Sequence, residues 1–168
     1  MSTTARGLAL ARMGVVLVTG MSGAGKSTAL KELARLGYAT VDTDYGSWCN
    51  DVDGDTVWNE EKMSALLTAP NLASLFVSGT VSNQGRFYHR FDAVVLLSAP
   101  PEVLFRRIET RSTNGYGKLA AEREEIRRHL ESVEPLLRKS STHEIDTTCP
   151  VQDVAAQLAQ IADESNRQ

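Results

Sequence analysis

At 168 residues, with 42% hydrophobic and 23% charged side chains, the chain has the size and composition of one soluble globular domain, able to bury about 70% of its unfolded surface. Its net charge of −3 gives no general attraction to nucleic acid or acidic membranes, so neither is an expected partner. Cys49 and Cys149 stand apart from each other and from His89, His129 and His143, which argues against a disulfide framework or a zinc site and for a cytoplasmic protein, monomeric or homodimeric.

Residues 1–12 read as a flexible extension. Their apolar run, Leu8-Ala9-Leu10-Ala11, is too short for a signal-peptide core or a membrane span, and Met13 is a candidate start. The expected domain covers 13–168. It opens on Val15 to Thr19, a β-branched run predicted to be a buried strand. The loop Gly20-Met21-Ser22-Gly23-Ala24-Gly25-Lys26-Ser27 follows, and then apolar residues at helical spacing (Leu30, Leu33, Ala34), with Gly37 placed to end the helix.

That loop matches every fixed position of G-x-x-x-x-G-K-[ST], and it lies between a strand and a helix as a phosphate cradle must. Its glycines let main-chain N–H groups face phosphate oxygens, and the helix N-terminus adds partial positive charge. Lys26 brings a mobile charge for the β- and γ-phosphates, and Ser27 a hydroxyl for Mg²⁺. The expected ligands are therefore ATP and Mg²⁺, with Gly20, Ser22, Gly23, Ala24, Gly25, Lys26, Ser27 and Thr28 as the nucleotide-binding set.

Further along, a short strand over Tyr38 to Val41 leads into Asp42-Thr43-Asp44. Residues 45–70 form an acceptor-side insertion: a polar stretch with Trp48 and Trp58, then a helix capped by Asn59 and burying Met63, Leu66 and Leu67. Leu75 to Ser78 is a third strand ending at Gly79, and Ala93 to Leu97 is a fourth, central one. Pro100-Pro101-Glu102 opens a helix. The glycine-bearing stretch 112–120 is a candidate lid, and Pro135 breaks or kinks the long helix after it. Glu144 to Asp146 and a helix from Val151 complete the chain. Alternating strands and helices predict an α/β fold of three layers, a five-stranded parallel sheet between helices, with the phosphate loop, Asp42, Asp44 and Gly79 at the strands' C-terminal edge.

With these pieces in place, the chain resembles the small P-loop kinases: nucleoside monophosphate kinases, shikimate kinase and gluconate kinase. Besides the loop, Arg107-Ile108-Glu109-Thr110-Arg111 is similar to the R-x-x-x-R segment that leads into the adenylate kinase lid. The resemblance implies that Arg107 stacks on adenine and that Arg111 contacts phosphates. The turn Asp146 to Val151 is similar to the segment whose backbone edges adenine, which assigns Thr148, Cys149 and Pro150 to the base. Asp42-x-Asp44 looks like the carboxylate pair of shikimate and gluconate kinases. By that likeness Asp42 holds Mg²⁺ through its water shell, and Asp44 orients an acceptor hydroxyl and takes its proton.

The acceptor end departs from each of these subfamilies. After Gly79 the chain reads Thr80-Val81-Ser82-Asn83-Gln84-Gly85, with no arginine before Arg86 and no triple glycine. Asn83 and Gln84 offer amides suited to a neutral, hydroxyl-rich acceptor, while Arg86 could meet an anionic group. The expected function is an ATP- and Mg²⁺-dependent kinase of a small molecule with a hydroxyl acceptor. Lys26, Asp44 and Arg111 are its catalytic residues, and Asp44, Gly79, Asn83, Gln84 and Arg86 contact the acceptor. A nucleoside monophosphate kinase is the alternative. A regulatory ATPase or switch is a third reading, against which Phe76-Val77-Ser78-Gly79 ends without an acid and no Asn-Lys-x-Asp segment occurs.

Overall fold

The computed structural model describes residues 13–70 and 73–167; the expectations for residues 1–12 lie outside them. β1 (Val15–Thr19) is buried along its whole length, because it has a neighbour on each side. It pairs in parallel with β5 (Leu75–Ser78) on one flank and with β6 (Ala93–Ser98) on the other. β2 (Ala39–Asp42) lies outside β5, and β7 (His143–Asp146) outside β6. The five-stranded order is β2-β5-β1-β6-β7, and it is parallel throughout, as expected.

Side chains alternate across this sheet with the two-residue period of a strand. Val16, Val18, Phe76, Val95 and Leu97 face one layer, packed with Leu30 and Leu33 of α1 (Lys26–Arg35) and Val154, Leu158 and Ile161 of α6 (Val151–Ser165). Val15, Leu17, Leu75, Val77 and Val94 face the other, packed with Met63 and Leu67 of α2 (Glu60–Thr68) and with Trp58, Phe87 and Phe91. Asn59 caps α2 as expected, its side-chain oxygen accepting the Lys62 N–H at 3.0 Å.

Two segments differ from the expectation. The polar stretch after Asp44 contains an antiparallel hairpin, β3 (Cys49–Val52) and β4 (Asp55–Trp58). It turns at Asp53-Gly54, where both residues have positive φ (54° and 85°), the requirement of a tight two-residue hairpin turn. Residues Gln84–Arg90 wind into a 3-10 segment. There Phe87 packs edge-on against Trp58, with ring centroids 5.7 Å apart. The expected break at Pro135 is present: α4 (Ala120–Ser132) stops, and α5 (Glu134–Ser140) restarts with proline in its first turn. Among the described residues no helix is long and apolar enough to cross a membrane.

From β1 the chain moves to one side of the sheet, and from β5 it crosses over β1 to β6 on the other. The crevice between the C-terminal ends of β1 and β6 is thus the point where the strand order reverses, the place where open α/β sheets bind ligands.

Candidate active site

The loop from β1 to α1 occupies this crevice. Gly25 is the N-cap of α1 with φ 95°, and a Cβ there would meet nothing closer than Arg107 Nη1 at 4.0 Å. The glycine therefore serves its left-handed backbone rather than a tight contact. α1 has no side-chain cap and no acid in its first turn, whereas α2 has Asn59 together with Glu60 and Glu61. The first-turn amides of α1 are left to an external anion.

Lys26 Nζ donates to the carbonyls of Gly20 (2.6 Å) and Met21 (3.2 Å). Although the side chain keeps some solvent contact, protein surrounds the ammonium. Desolvation pulls its pKa below the ordinary lysine value, against the attraction of Asp44 and then Asp42. Ser27 Oγ donates to Asp42 Oδ2 at 2.5 Å, and Asp42 Oδ1 accepts the Asp44 N–H at 3.2 Å. Asp44 reaches solvent through the cleft, yet close packing around it pushes its carboxyl above the usual aspartate value. Lys26 opposes that shift, Asp42 adds to it and Arg111 opposes it more weakly. Four groups of the sequence prediction, Lys26, Asp42, Asp44 and Arg111, therefore share one electrostatic neighbourhood.

α3 (Pro101–Thr110) delivers the two arginines from β6 to the loop after β1. Arg107 Nη1 donates to Gly23 O (3.2 Å) and Thr147 Oγ1 (2.9 Å), and its Nη2 to Thr147 O (2.6 Å). Arg111 Nη2 reaches Ser22 Oγ (3.3 Å) and Tyr116 O (2.6 Å), and its Nε reaches Asn114 O (3.1 Å). Desolvation lowers the Arg111 pKa, with Tyr45 and then Asp44 pulling the other way. The loop between α3 and α4 folds down on its neighbours: Gly117 sits where a Cβ would meet Ile108 at 2.6 Å and Ile126 at 2.8 Å. Tyr116 donates to Glu125 Oε2 at 2.8 Å. Burial, that hydrogen bond and the nearby carboxylates push its phenol up to about 12.

Ser22, Gly23, Gly25 to Thr28, Asp44, Arg107, Arg111 and Cys149 line a single cleft of about 440 Å³. Tyr45 and Thr147 also line it, and sequence reasoning missed both. Thr147 is buried between the loop and the β7–α6 turn, and it donates to Ala24 O at 2.9 Å. Its only signal was a hydroxyl at a strand end facing a helix start. Thr148 turns away from the cleft, its N–H and hydroxyl both bonded to Asp146 Oδ1.

The residues expected to meet an acceptor are placed differently. Asn83 accepts the Trp58 N–H (2.9 Å) and donates to the Trp58 carbonyl (3.1 Å), so its amide pairs with the edge of β4. Gln84 is 3% exposed. Its oxygen takes the Val81 N–H, and its nitrogen serves Thr19 and Tyr88. The Gln84 amide is spent within the fold, whereas Asn83 is half-buried and lines a second cleft with Trp58 and Arg86. Gly79 is a packing position, because a Cβ would collide with the Thr43 hydroxyl and the Trp58 ring. Arg86 is exposed and paired with Glu60 at 2.6 Å. Asn83 pairs with the main chain of β4 and Gln84 with the Val81 N–H of its own loop, and residue type does not distinguish that from ligand binding.

The donor set fits the expected ligands. Ser27 and Asp42 present two hard oxygens side by side, suited to Mg²⁺. Among the described residues no cluster of three or more His, Cys, Asp or Glu could hold a metal by itself. The glycine backbone of 20–27 fits a polyphosphate, with the Gly20 and Ala24 amides bonded within the protein and the uncapped first turn of α1 facing the cleft.

Fold and loop together define a P-loop protein built on the plan of the small kinases. The chain belongs to the AAA domain family, whose model matches residues 16–128. Its fold is similar to that of shikimate kinase from Acinetobacter baumannii (TM-score 0.66, 20% identity, 95% of this chain and 98% of that one). It is also similar to a gluconokinase from Sinorhizobium meliloti 1021 (TM-score 0.61, 19% identity, 91% and 95%) and to shikimate kinase from Bacteroides thetaiotaomicron (TM-score 0.61, 16% identity, 90% and 99%). Among curated proteins, none matches the chain in sequence.

Proposed function

We infer that the protein is an ATP- and Mg²⁺-dependent kinase that phosphorylates a hydroxyl group of a small molecule. The observation that carries this reading is the placement of Asp44 within the electrostatic reach of Lys26 and Arg111 at the mouth of the phosphate loop. A carboxylate there can take the proton of an incoming hydroxyl, and it shares one cleft with Lys26, Arg111 and the exposed Tyr45, which leaves room beside it for an acceptor.

The roles divide as follows. The loop amides without an internal partner, which exclude those of Gly20 and Ala24, and the N-terminus of α1 hold the polyphosphate. Mg²⁺ would sit on the Ser27 hydroxyl and, through water, on Asp42, where it neutralises phosphate charge. Lys26 and Arg111 surround the charge that moves during transfer. Asp44 orients the acceptor hydroxyl and takes its proton. Cys149 and the Arg107 guanidinium, tied to Thr147, flank the expected base position. Gln84 and Gly79 have structural tasks, and Tyr45, exposed on the cleft wall next to Asp44 in the chain, is a candidate acceptor contact.

The similar solved structures are named for shikimate and gluconate, so hydroxylated small molecules are the first class to test. A nucleoside monophosphate acceptor has less support, because no arginine occurs between Gly79 and Arg86. The test is ADP release measured with and without pools of hydroxylated compounds and nucleotides. We expect release to depend on an acceptor and Lys26→Ala to lose more than nine-tenths of it. ADP release indifferent to every pool, or a Lys26→Ala variant of near-normal activity, defeats the reading.

A further inference from the structure

Lys26 rests on two carbonyls, and each holds a second donor. Gly20 O accepts Lys26 Nζ at 2.6 Å and the Thr80 hydroxyl at 2.7 Å. Met21 O accepts Lys26 Nζ at 3.2 Å and the Ala24 N–H at 3.1 Å. The ammonium can therefore leave without orphaning either carbonyl, which matters because an unpaired buried carbonyl is costly.

The Thr80 bond is directed by a chain of hydrogen-bonded side chains, of which Thr19 and Gln84 are buried. Its single hydroxyl proton goes to Gly20 O, and its oxygen accepts the Gly20 N–H at 3.2 Å. The 3.1 Å contact between Thr80 and Thr19 must then be donated by Thr19. Thr19 in turn accepts from Gln84 Nε2 at 3.2 Å. The Gln84 amide has one orientation, since its oxygen accepts the Val81 N–H at 3.0 Å and its other proton goes to Tyr88 Oη at 2.8 Å. Thr19 is fully buried and Gln84 almost so, so water does not compete at these two, while Thr80 is half-buried. The relay Gln84 → Thr19 → Thr80 → Gly20 points every hydroxyl proton toward the first peptide of the phosphate loop.

We propose that Thr80 is a positioning residue for Lys26. Its hydroxyl keeps the Gly20 peptide paired when the ammonium moves from the loop carbonyls to the phosphates, and so lowers the cost of that movement. The inference rests on the reading of residues 20–27 as a nucleotide cradle. It gives the segment after Gly79 a task at the nucleotide end of the site, not the acceptor end.

The test is calorimetric titration with Mg·ADP of the wild type, Thr80→Ser, Thr80→Val and Thr80→Ala, with AMP measured by displacement of a fluorescent ADP analogue. Losing the hydroxyl should weaken Mg·ADP about tenfold in Thr80→Val and Thr80→Ala. Thr80→Ser should stay within about twofold of the wild type. AMP has no β-phosphate for Lys26 to reach and should bind all four proteins equally. Thr80→Val or Thr80→Ala binding Mg·ADP as the wild type does overturns the proposal. So does an equal loss on AMP and ADP, which signals general distortion of the loop, or a Thr80→Ser variant as weak as Thr80→Val. A wild type that binds no Mg·ADP is a different failure: it removes the nucleotide reading itself, and the proposal with it.

Discussion

The chemistry of the site is concentrated in Asp44, whose carboxyl sits above the ordinary aspartate value chiefly because protein displaces water around it. In the proposed role of base Asp44 works only when ionised, so on that reading kcat/KM should fall on the acid side at a pH above the normal aspartate range. Asp44→Asn should remove that limb and lower turnover by about 10²–10⁴, with nucleotide affinity nearly unchanged. A pH–rate profile checks both; an intact limb in the variant would make Asp44 a turn residue. The same shift carries a stability consequence. A group whose folded pKa is raised favours folding below its unfolded pKa, and that contribution is lost as pH rises through the folded pKa. Ionised Asp44 therefore weakens the fold at neutral pH, and Asp44→Asn should unfold at a higher temperature than the wild type there. The difference should vanish in acid, where both side chains are neutral. Asp42 and Asp44 were legible from the sequence as a pair, but only the fold shows that Asp42 bonds Ser27 while Asp44 faces the cleft.

Among the elements, the segment between α3 and α4 combines two features. It lines the cleft through Thr113 and Asn114, and it is anchored through Gly117, which lies with φ 92° between Ile108 and Ile126. Gly117→Ala forces both a strained backbone and a clash with two buried side chains, and should cost about 2–4 kcal/mol of stability in denaturant unfolding. Because Arg111 is held by Asn114 and Tyr116 of the same segment, the variant should also lose turnover. A variant of unchanged stability would show that the segment does not dock as described. The hairpin β3–β4 was the element most open to detection and was missed. Asp53-Gly54 is a strong two-residue turn signal, but the flanking Asn50, Asp51 and Asp55 hid the apolar alternation of a strand. The 3-10 segment at 84–90 left no periodic signal, since Phe87 and Phe91 are its apolar anchors and Gln84 buries an amide.

For the molecule as a whole, the sheet order brings β1 and β6 side by side, and this joins the loop after one to the arginines after the other. The cradle is thus assembled from segments about eighty residues apart, so ligand binding should report on the entire fold. Nucleotide at a hundred times its dissociation constant stabilises by about 2.7 kcal/mol, which for a chain of this length raises Tm by roughly 5–11 °C. Thermal unfolding with Mg·ATP should show such a rise, and chelating the Mg²⁺ should remove most of it. No shift in the presence of saturating Mg·ATP would contradict the assignment of the cleft.

Local chemistry was enough to define the strand–loop–helix cradle, the parallel α/β class, the Asn59 cap and the break at Pro135, because each depends on residues close together in the chain. Which polar side chains are free and which are spent on the fold was decided only in three dimensions. Asn83 pairs with Trp58, Gln84 orients Thr19, and Arg107 grips Thr147, and none of those partners lies near its mate in sequence. A side chain's hydrogen-bonding capacity is written in its residue type, but the partner that uses it is chosen by packing.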